Sequence, residues 1–198
     1  MGERAHLLSR EVNLDTHVRD VIGLIDAEEL EGIVLAGHSY GGLVITGVAA
    51  RAKSRIRQLV YLDAALMEDG QSLLQVMPPE IAAARRKLAR ESSGDVSLPV
   101  PEAKVFGLSD PADLAWVQRR MTPHPFATFE QRAGWGTPIG NGLPLCYVDC
   151  ADPVYAGLAE VKSRYRGDAA WNFIELKTGH DAMVSAPEET ARILLRFA

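Results

Sequence analysis

Short apolar runs alternate along this chain with longer segments of helical period. Val18, Val21, Ile22 and Ile25 recur at i, i+3, i+4 and i+7, one face of a helix. Asn13 stands just before Leu14, and Asp15 falls in the first turn; both suit a helix N-terminus. "GIVLAG" (32–37) is an uninterrupted apolar run after "EELE" and predicts a buried strand. "GGLVITGVAARA" (41–52) predicts a helix that begins within its glycines. "IRQLVYLDA" (56–64), "LPLCYVDC" (143–150) and "AWNFIELKT" (170–178) predict a second, third and fourth strand. "PVYAGLAEVKSRY" (153–165) predicts a helix between the last two. In the closing "SAPEETARILLRFA", Ser185 and Glu188 around Pro187 predict a capping box. Thr190, Ile193, Leu194 and Phe197 then supply the inward face.

Strands alternating with helices imply βαβ units and a parallel sheet, an α/β fold. Residues 66–142 break that rhythm. "MPPEIAAARRKLARE" and "PADLAWVQRRM" predict helices there, and no strand is predicted. The expected organisation is one domain over 1–198, with a core of 1–65 and 143–198 and a helical cap insertion over about 66–142. Insertions after strand ends in such sheets commonly cover the active site. Trp116, Met121, Phe126, Phe129 and Trp135 are its candidates to line an apolar pocket. Apolar side chains mostly go inside, so most of them are expected to pack the insertion's own small core.

Composition narrows the function classes. The 198 residues are 47% hydrophobic and 24% charged, enough for one globular core. The net charge of -5 argues against nucleic acid or an anionic membrane as the main partner. No apolar stretch is long enough to span a bilayer, and the charged "MGERAHLLSREVN" is unlike a signal peptide. Cys146 and Cys150, the only 2 cysteines, lack metal-ligand spacing and are expected to be buried free thiols. A reducing cytoplasm is the expected compartment.

The chemistry centres on Gly37-His38-Ser39-Tyr40-Gly41, a G-x-S-x-G sequence. The bare pattern is only moderately specific. Here it stands where a buried strand turns into a helix, the context of a nucleophile elbow. Such a turn lifts the Ser39 hydroxyl above the strand ends, aims the following helix N-terminus at the site, and makes the Tyr40 N–H an oxyanion donor. A serine nucleophile needs a base, and the base an orienting acid, in the chain order Ser, Asp or Glu, His. His6 and His17 precede the serine, His38 is expected to point elsewhere, and His124 lies in the proline-rich insertion. His180, in "LKTGHDAM" after the fourth strand, is the expected base. For the acid, Asp149 and Asp152 both lie in "YVDCADP". Asp152 is preferred because Pro153 puts it in the loop proper, whereas Asp149 reads as a strand end. Asp63 ranks third, with a role in ordering the insertion as its plainer reading. Asp181 is expected to face solvent or a backbone amide. The triad implies acyl transfer through Ser39 and calls for no metal or organic cofactor.

With these residues in place, the chain resembles an α/β-hydrolase. It is most similar to the branch of plant methylesterases, hydroxynitrile lyases and bacterial esterases of the pyrethroid-hydrolase type. "GERAHL", "LDTHVRDV", "VLAGHSYGGLV", "LVYLDA", "EDGQS", "CADP" and "GHDAM" carry the likeness over nearly the whole chain. The resemblance implies Ser39 as nucleophile, Asp152 as acid and His180 as base. The ordered triad beneath an aromatic-bearing insertion points to a small-molecule ester, apolar or aromatic, as the expected substrate. Hydroxynitrile lyases of this branch carry lysine directly after the catalytic histidine; Asp181 stands there instead, which favours ester hydrolysis over cyanohydrin cleavage. Family members also begin with a strand and a His-Gly loop that supplies the second oxyanion N–H, ahead of the segment that "GERAHL" resembles. The expectation is therefore an N-terminally incomplete α/β-hydrolase fold with "GIVLAG" as a bare edge strand. That edge invites pairing with another chain, a homodimer included. A catalytically weak ligand-binding or partner-dependent module is the competing expectation from a different class.

Overall fold

In the computed structural model, which describes residues 2–198, the chain builds a parallel sheet with helices on both faces. In chain order the elements begin with helix α1 (Leu14–Ala27), strand β1 (Ile33–His38), α2 (Gly41–Ala52) and β2 (Ile56–Leu62). Next come α3 (Leu73–Val76), α4 (Pro79–Ser93), β3 (Ser97–Leu98), α5 (Pro111–Gln118), β4 (His124–Pro125) and α6 (Ala127–Glu130). The chain ends with β5 (Leu145–Cys150), α7 (Ala159–Tyr165), β6 (Trp171–Leu176), α8 (Ala182–Ser185) and α9 (Pro187–Leu195). The main sheet has 4 parallel strands in the order β1-β2-β5-β6.

Each of the expected strands and the helix after the serine is present. The apolar runs of β2 and β5 are continuous because both faces of the sheet are covered there. β1, expected as a buried strand, is only half-buried at the sheet edge, with Ala36 exposed and Gly37 its one buried residue. Neighbouring residues within a strand point to opposite faces. Tyr61 and Tyr147 pack into the larger core with Leu43, Val48 and Trp171. Val60, Leu62, Cys146, Val148 and Cys150 pack on the other side with Ala182 and Ile193. Cys146 and Cys150 are buried free thiols, as expected. Burial and neighbouring carboxylates push Cys150 up to about 12, and burial pushes Cys146 up to about 11, so both stay protonated. β1 lies at the sheet edge, paired with β2 alone among the described residues. No described helix is long and apolar enough to cross a membrane.

Asn13 caps α1 as expected: its Oδ1 accepts the Thr16 N–H while Thr16 Oγ1 accepts the Asn13 N–H, a reciprocal box. The second expected box does not form. The chain breaks at Ala186 between α8 and α9, and Ser185 instead bonds Thr178 Oγ1 at 2.6 Å and donates to the Asp181 carbonyl. The insertion also holds a strand pair that the pattern did not predict, β3 antiparallel to β4. Two residues per strand are too few to leave an alternating signature.

Candidate active site

The C-terminal ends of the parallel strands carry the functional side chains, as in open α/β sheets generally. Ser39 follows β1 with φ +53, a left-handed backbone that costs a non-glycine residue energy and is characteristic of a strained elbow. Its N–H donates to the Leu62 carbonyl and its carbonyl accepts from Ala65 N–H, so the loop after β2 locks the turn. α2 begins two residues later, and its N-terminus faces the turn.

The flanking glycines do different work. A Cβ on Gly37 would lie 2.5 Å from the Gly41 carbonyl oxygen. One on Gly42 would lie 2.4 Å from the Ala65 carbonyl oxygen and 2.8 Å from Ala64 Cβ. One on Gly41 would meet nothing within 4 Å. The steric demand thus falls on Gly37 and on Gly42, which lies outside the five-residue motif, rather than on Gly41. Gly42→Ala is expected to destabilise the fold by about 1–3 kcal/mol, the usual cost of overpacking against backbone. Gly41→Ala should stay within about 0.5 kcal/mol. Urea unfolding midpoints of the two variants check the contrast.

Above the strand ends the Ser39 hydroxyl donates to His180 Nε2 at 2.9 Å. His180 Nδ1–H donates in turn to Asp63 Oδ2 at 2.6 Å. The neighbours assign the tautomer: Nδ1 carries the proton because an acid faces it, which leaves Nε2 to accept. His180 and Asp63 are buried, at 1% and 0% exposure. Asp63 has φ +41, a second strained non-glycine residue at a strand end. Burial by itself would raise the Asp63 carboxyl. Hydrogen bonds from His180 and Lys162, together with the Lys162 charge, outweigh it and hold the group below its ordinary value.

A model of the alpha/beta hydrolase family matches residues 4–193. The chain belongs to the alpha/beta hydrolase family. It is 38% identical over 205 residues to a carbendazim hydrolyzing esterase of Nocardioides sp. (strain SG-4G), covering 98% of this chain and 83% of that one. Among solved structures it resembles an extracellular alpha/beta-hydrolase from a Paenibacillus species, with a TM-score of 0.79 and 22% identity over 96% of this chain and 81% of that one. It also resembles a pyrethroid hydrolase from Sphingobium faniae JZ-2, with a TM-score of 0.62 and 20% identity over 94% of this chain and 77% of that one.

Within this alpha/beta hydrolase the sequence reading needs correction at the acid. Asp63, not Asp152, faces His180 Nδ1. Asp152 sits in a tight reversal in which Ala151 bridges to Val154, and its N–H donates to the Thr178 carbonyl. The reversal turns its side chain out to solvent. Asp149 is also unavailable, being paired with Arg166 and Lys162. His38 does not point elsewhere either. Its Nε2–H donates to the His180 carbonyl at 2.9 Å and its ring packs 4.5 Å from the imidazole. Burial first, then the nearby His180, lowers His38 to about 4, so it is neutral at pH 7 and props the His180 backbone.

None of the aromatic residues expected to line the pocket packs its ring on the His180 imidazole among the described residues. Phe126, Phe129 and Trp135 belong to the larger core. Trp135 packs on Gly47, where an added Cβ would come within 2.7 Å of the indole. Met121 packs with Ala103, Leu108 and Val117 in a small core of the insertion. Trp116 is 47% exposed under the guanidinium of Arg120. The rings that flank His180 are Tyr155, stacked at 4.2 Å, and Phe106, stacked at 5.8 Å. Phe106 comes from the insertion, where its carbonyl accepts the Asp181 N–H. The adjacent Gly107, at φ +80, lies so close to the His180 loop that a Cβ would fall 2.7 Å from Gly179 Cα. On the other side of the serine, Tyr40 OH meets His17 Nδ1 at 3.0 Å, and His124 packs edge-on against the Tyr40 ring.

His38, His180 and Asp181 bring ligand-type atoms within 4.8 Å of one another. Both His180 nitrogens are engaged by Ser39 and Asp63, and His38 Nε2 by a carbonyl, so these donors are committed to protein partners.

Proposed function

We propose that the chain is a serine carboxylesterase acting through an acyl-enzyme on Ser39, with His180 as base and Asp63 as the orienting acid. The observation that carries this reading is the unbroken line from Ser39 Oγ through the His180 ring to Asp63 Oδ2. As the serine oxygen attacks the acyl carbon, Nε2 takes its proton, and the buried carboxylate stabilises the imidazolium that forms. In this reading the Tyr40 N–H, at the head of α2, receives the charge that develops on the carbonyl oxygen. The same nitrogen returns the proton to the leaving alcohol, and water reverses the sequence to free the acid. His38 keeps the base's backbone in place without carrying charge itself.

The substrate in this reading is a small apolar or aromatic ester. Tyr155 and Phe106 beside His180 offer it flat apolar surface. Residues 66–142 act as the cap, reaching the base through Phe106 and Gly107. The carbendazim hydrolyzing esterase makes carbendazim a sensible trial substrate beside p-nitrophenyl acetate. A fluorophosphonate should add one phosphonyl group per chain, and peptide mass spectrometry should map it to Ser39. An adduct on any other residue, or none under conditions where the chain is folded, rules the reading out.

A further inference from the structure

The group that the triad chemistry does not explain is Lys162. It sits on α7, 5% exposed, beneath the acid rather than in solvent. Its Nζ lies 2.6 Å from Asp63 Oδ1 and donates to the Cys150 carbonyl at 2.7 Å. It is also 2.9 Å from Asp149 Oδ1, an atom with no aligned hydrogen bond of its own. Arg166, one turn on, takes the other Asp149 oxygen. An ammonium out of water is costly unless paired, and this one is paired with two carboxylates. Burial alone would lower Lys162; the two carboxylates outweigh it and raise it, so it stays charged.

The division of labour on Asp63 is what gives Lys162 a role. Oδ2 faces the base, while Oδ1 takes Lys162 Nζ and the Cys150 N–H at 3.1 Å. The carboxylate is thus held on the oxygen that His180 does not use. Resting on the esterase reading, the geometry points to Lys162 as a positioning residue. It keeps Asp63 ionised and its free oxygen aimed at His180, and Asp149 with Arg166 anchors the lysine from below.

The groups that face Asp63 are His180 from the loop after β6, Lys162 from α7, and Asp149, Cys150 and Tyr147 from β5, with His38 behind His180. Cys150, pushed up to about 12, and Tyr147, pushed higher by burial, stay neutral in any ordinary assay. The sign follows. Asp63 has a depressed pKa, and the function that needs it ionised is lost as pH falls through that value. Without the ammonium, burial favours the neutral acid, so that loss occurs at higher pH.

Two variants test the assignment. Lys162→Met leaves two buried carboxylates facing one arginine. Lys162→Met with Asp149→Asn removes a carboxylate along with the cation and leaves the local charge balanced. In whichever variant is folded by near-UV circular dichroism, the acid limb of kcat should move up by about 1–3 pH units. KM should stay within about twofold, a split that a general loss of structure would not give. Proton NMR gives a readout that needs no turnover. The low-field His180 Nδ1 proton of the wild type should vanish on acidification at the pH where the Lys162 Nζ resonance shifts, and at a higher pH in the variants. A folded variant with a wild-type acid limb, or a wild-type Lys162 resonance indifferent to loss of the His180 proton, overturns the assignment. A wild type that shows the coupled resonances but neither hydrolyses esters nor takes up fluorophosphonate overturns the esterase reading instead.

Discussion

Ser39→Ala and His180→Ala are each expected to lower kcat on a p-nitrophenyl ester by on the order of 10⁵–10⁶-fold, and the double variant by no more than either alone. In the proposed mechanism the proton on Ser39 Oγ leaves only through His180 Nε2, 2.9 Å away, so removing either end disables the same step. Independent contributions would multiply; a single relay cannot lose its function twice. Stopped assays at high enzyme concentration, with active-site titration to exclude contaminating esterase, measure the residual rates. A double variant at least 10-fold below both singles, a threshold on the order of one RT-scaled decade, would contradict the shared relay.

Asp63→Asn should lower kcat by about 10⁴-fold with little change in KM, while Asp152→Asn should stay close to wild type. An asparagine at 63 keeps the shape but can offer an N–H where His180 now donates, and it turns the imidazole towards the wrong tautomer. Asp152 is exposed and its carboxylate does not meet His180, so the same exchange there alters nothing the base feels. Steady-state kinetics on the two variants side by side decide between the carboxylates. The reverse ranking would mean that the loop after β5 swings its acid towards the base during turnover.

The contrast between these aspartates shows which parts of the molecule are legible in the chain. The elbow is local: an apolar strand, a turn and a helix adjoin within twenty residues, so 33–52 can be read as one unit. His180 is legible because one histidine follows a predicted strand end downstream of the serine. Asp63 is not, because its partner is 117 positions away and its own neighbours are apolar on both sides. The one available signal is that "LVYLDAAL" places a lone acid inside a run otherwise fit for a core, where a charge requires a partner. Lys162 is hidden for the opposite reason: among Glu160, Arg164 and Arg166 it reads as one more charge on a solvated helix face. The aromatic residues of the insertion show the same limit. Their size says that they bury, and not against what; Phe129 and Trp135 join the core of the sheet, while Phe106 stacks on His180, as does Tyr155 from the loop after β5.

The strand order gives the relay a mechanical property. Ser39 leaves β1 at one margin of the sheet, and His180 lies in the segment after β6 at the other, with Asp63 just past the end of β2 between them. The imidazole can meet the serine only if its loop arches back over the ends of β5 and β2. Every parallel seam therefore lies in series between nucleophile and base, and slippage along any of them parts the pair. Catalytic output becomes a gauge of whether the whole sheet is closed. Heat or urea should extinguish activity and backbone order along one common curve, with no early inactive form that keeps its strands.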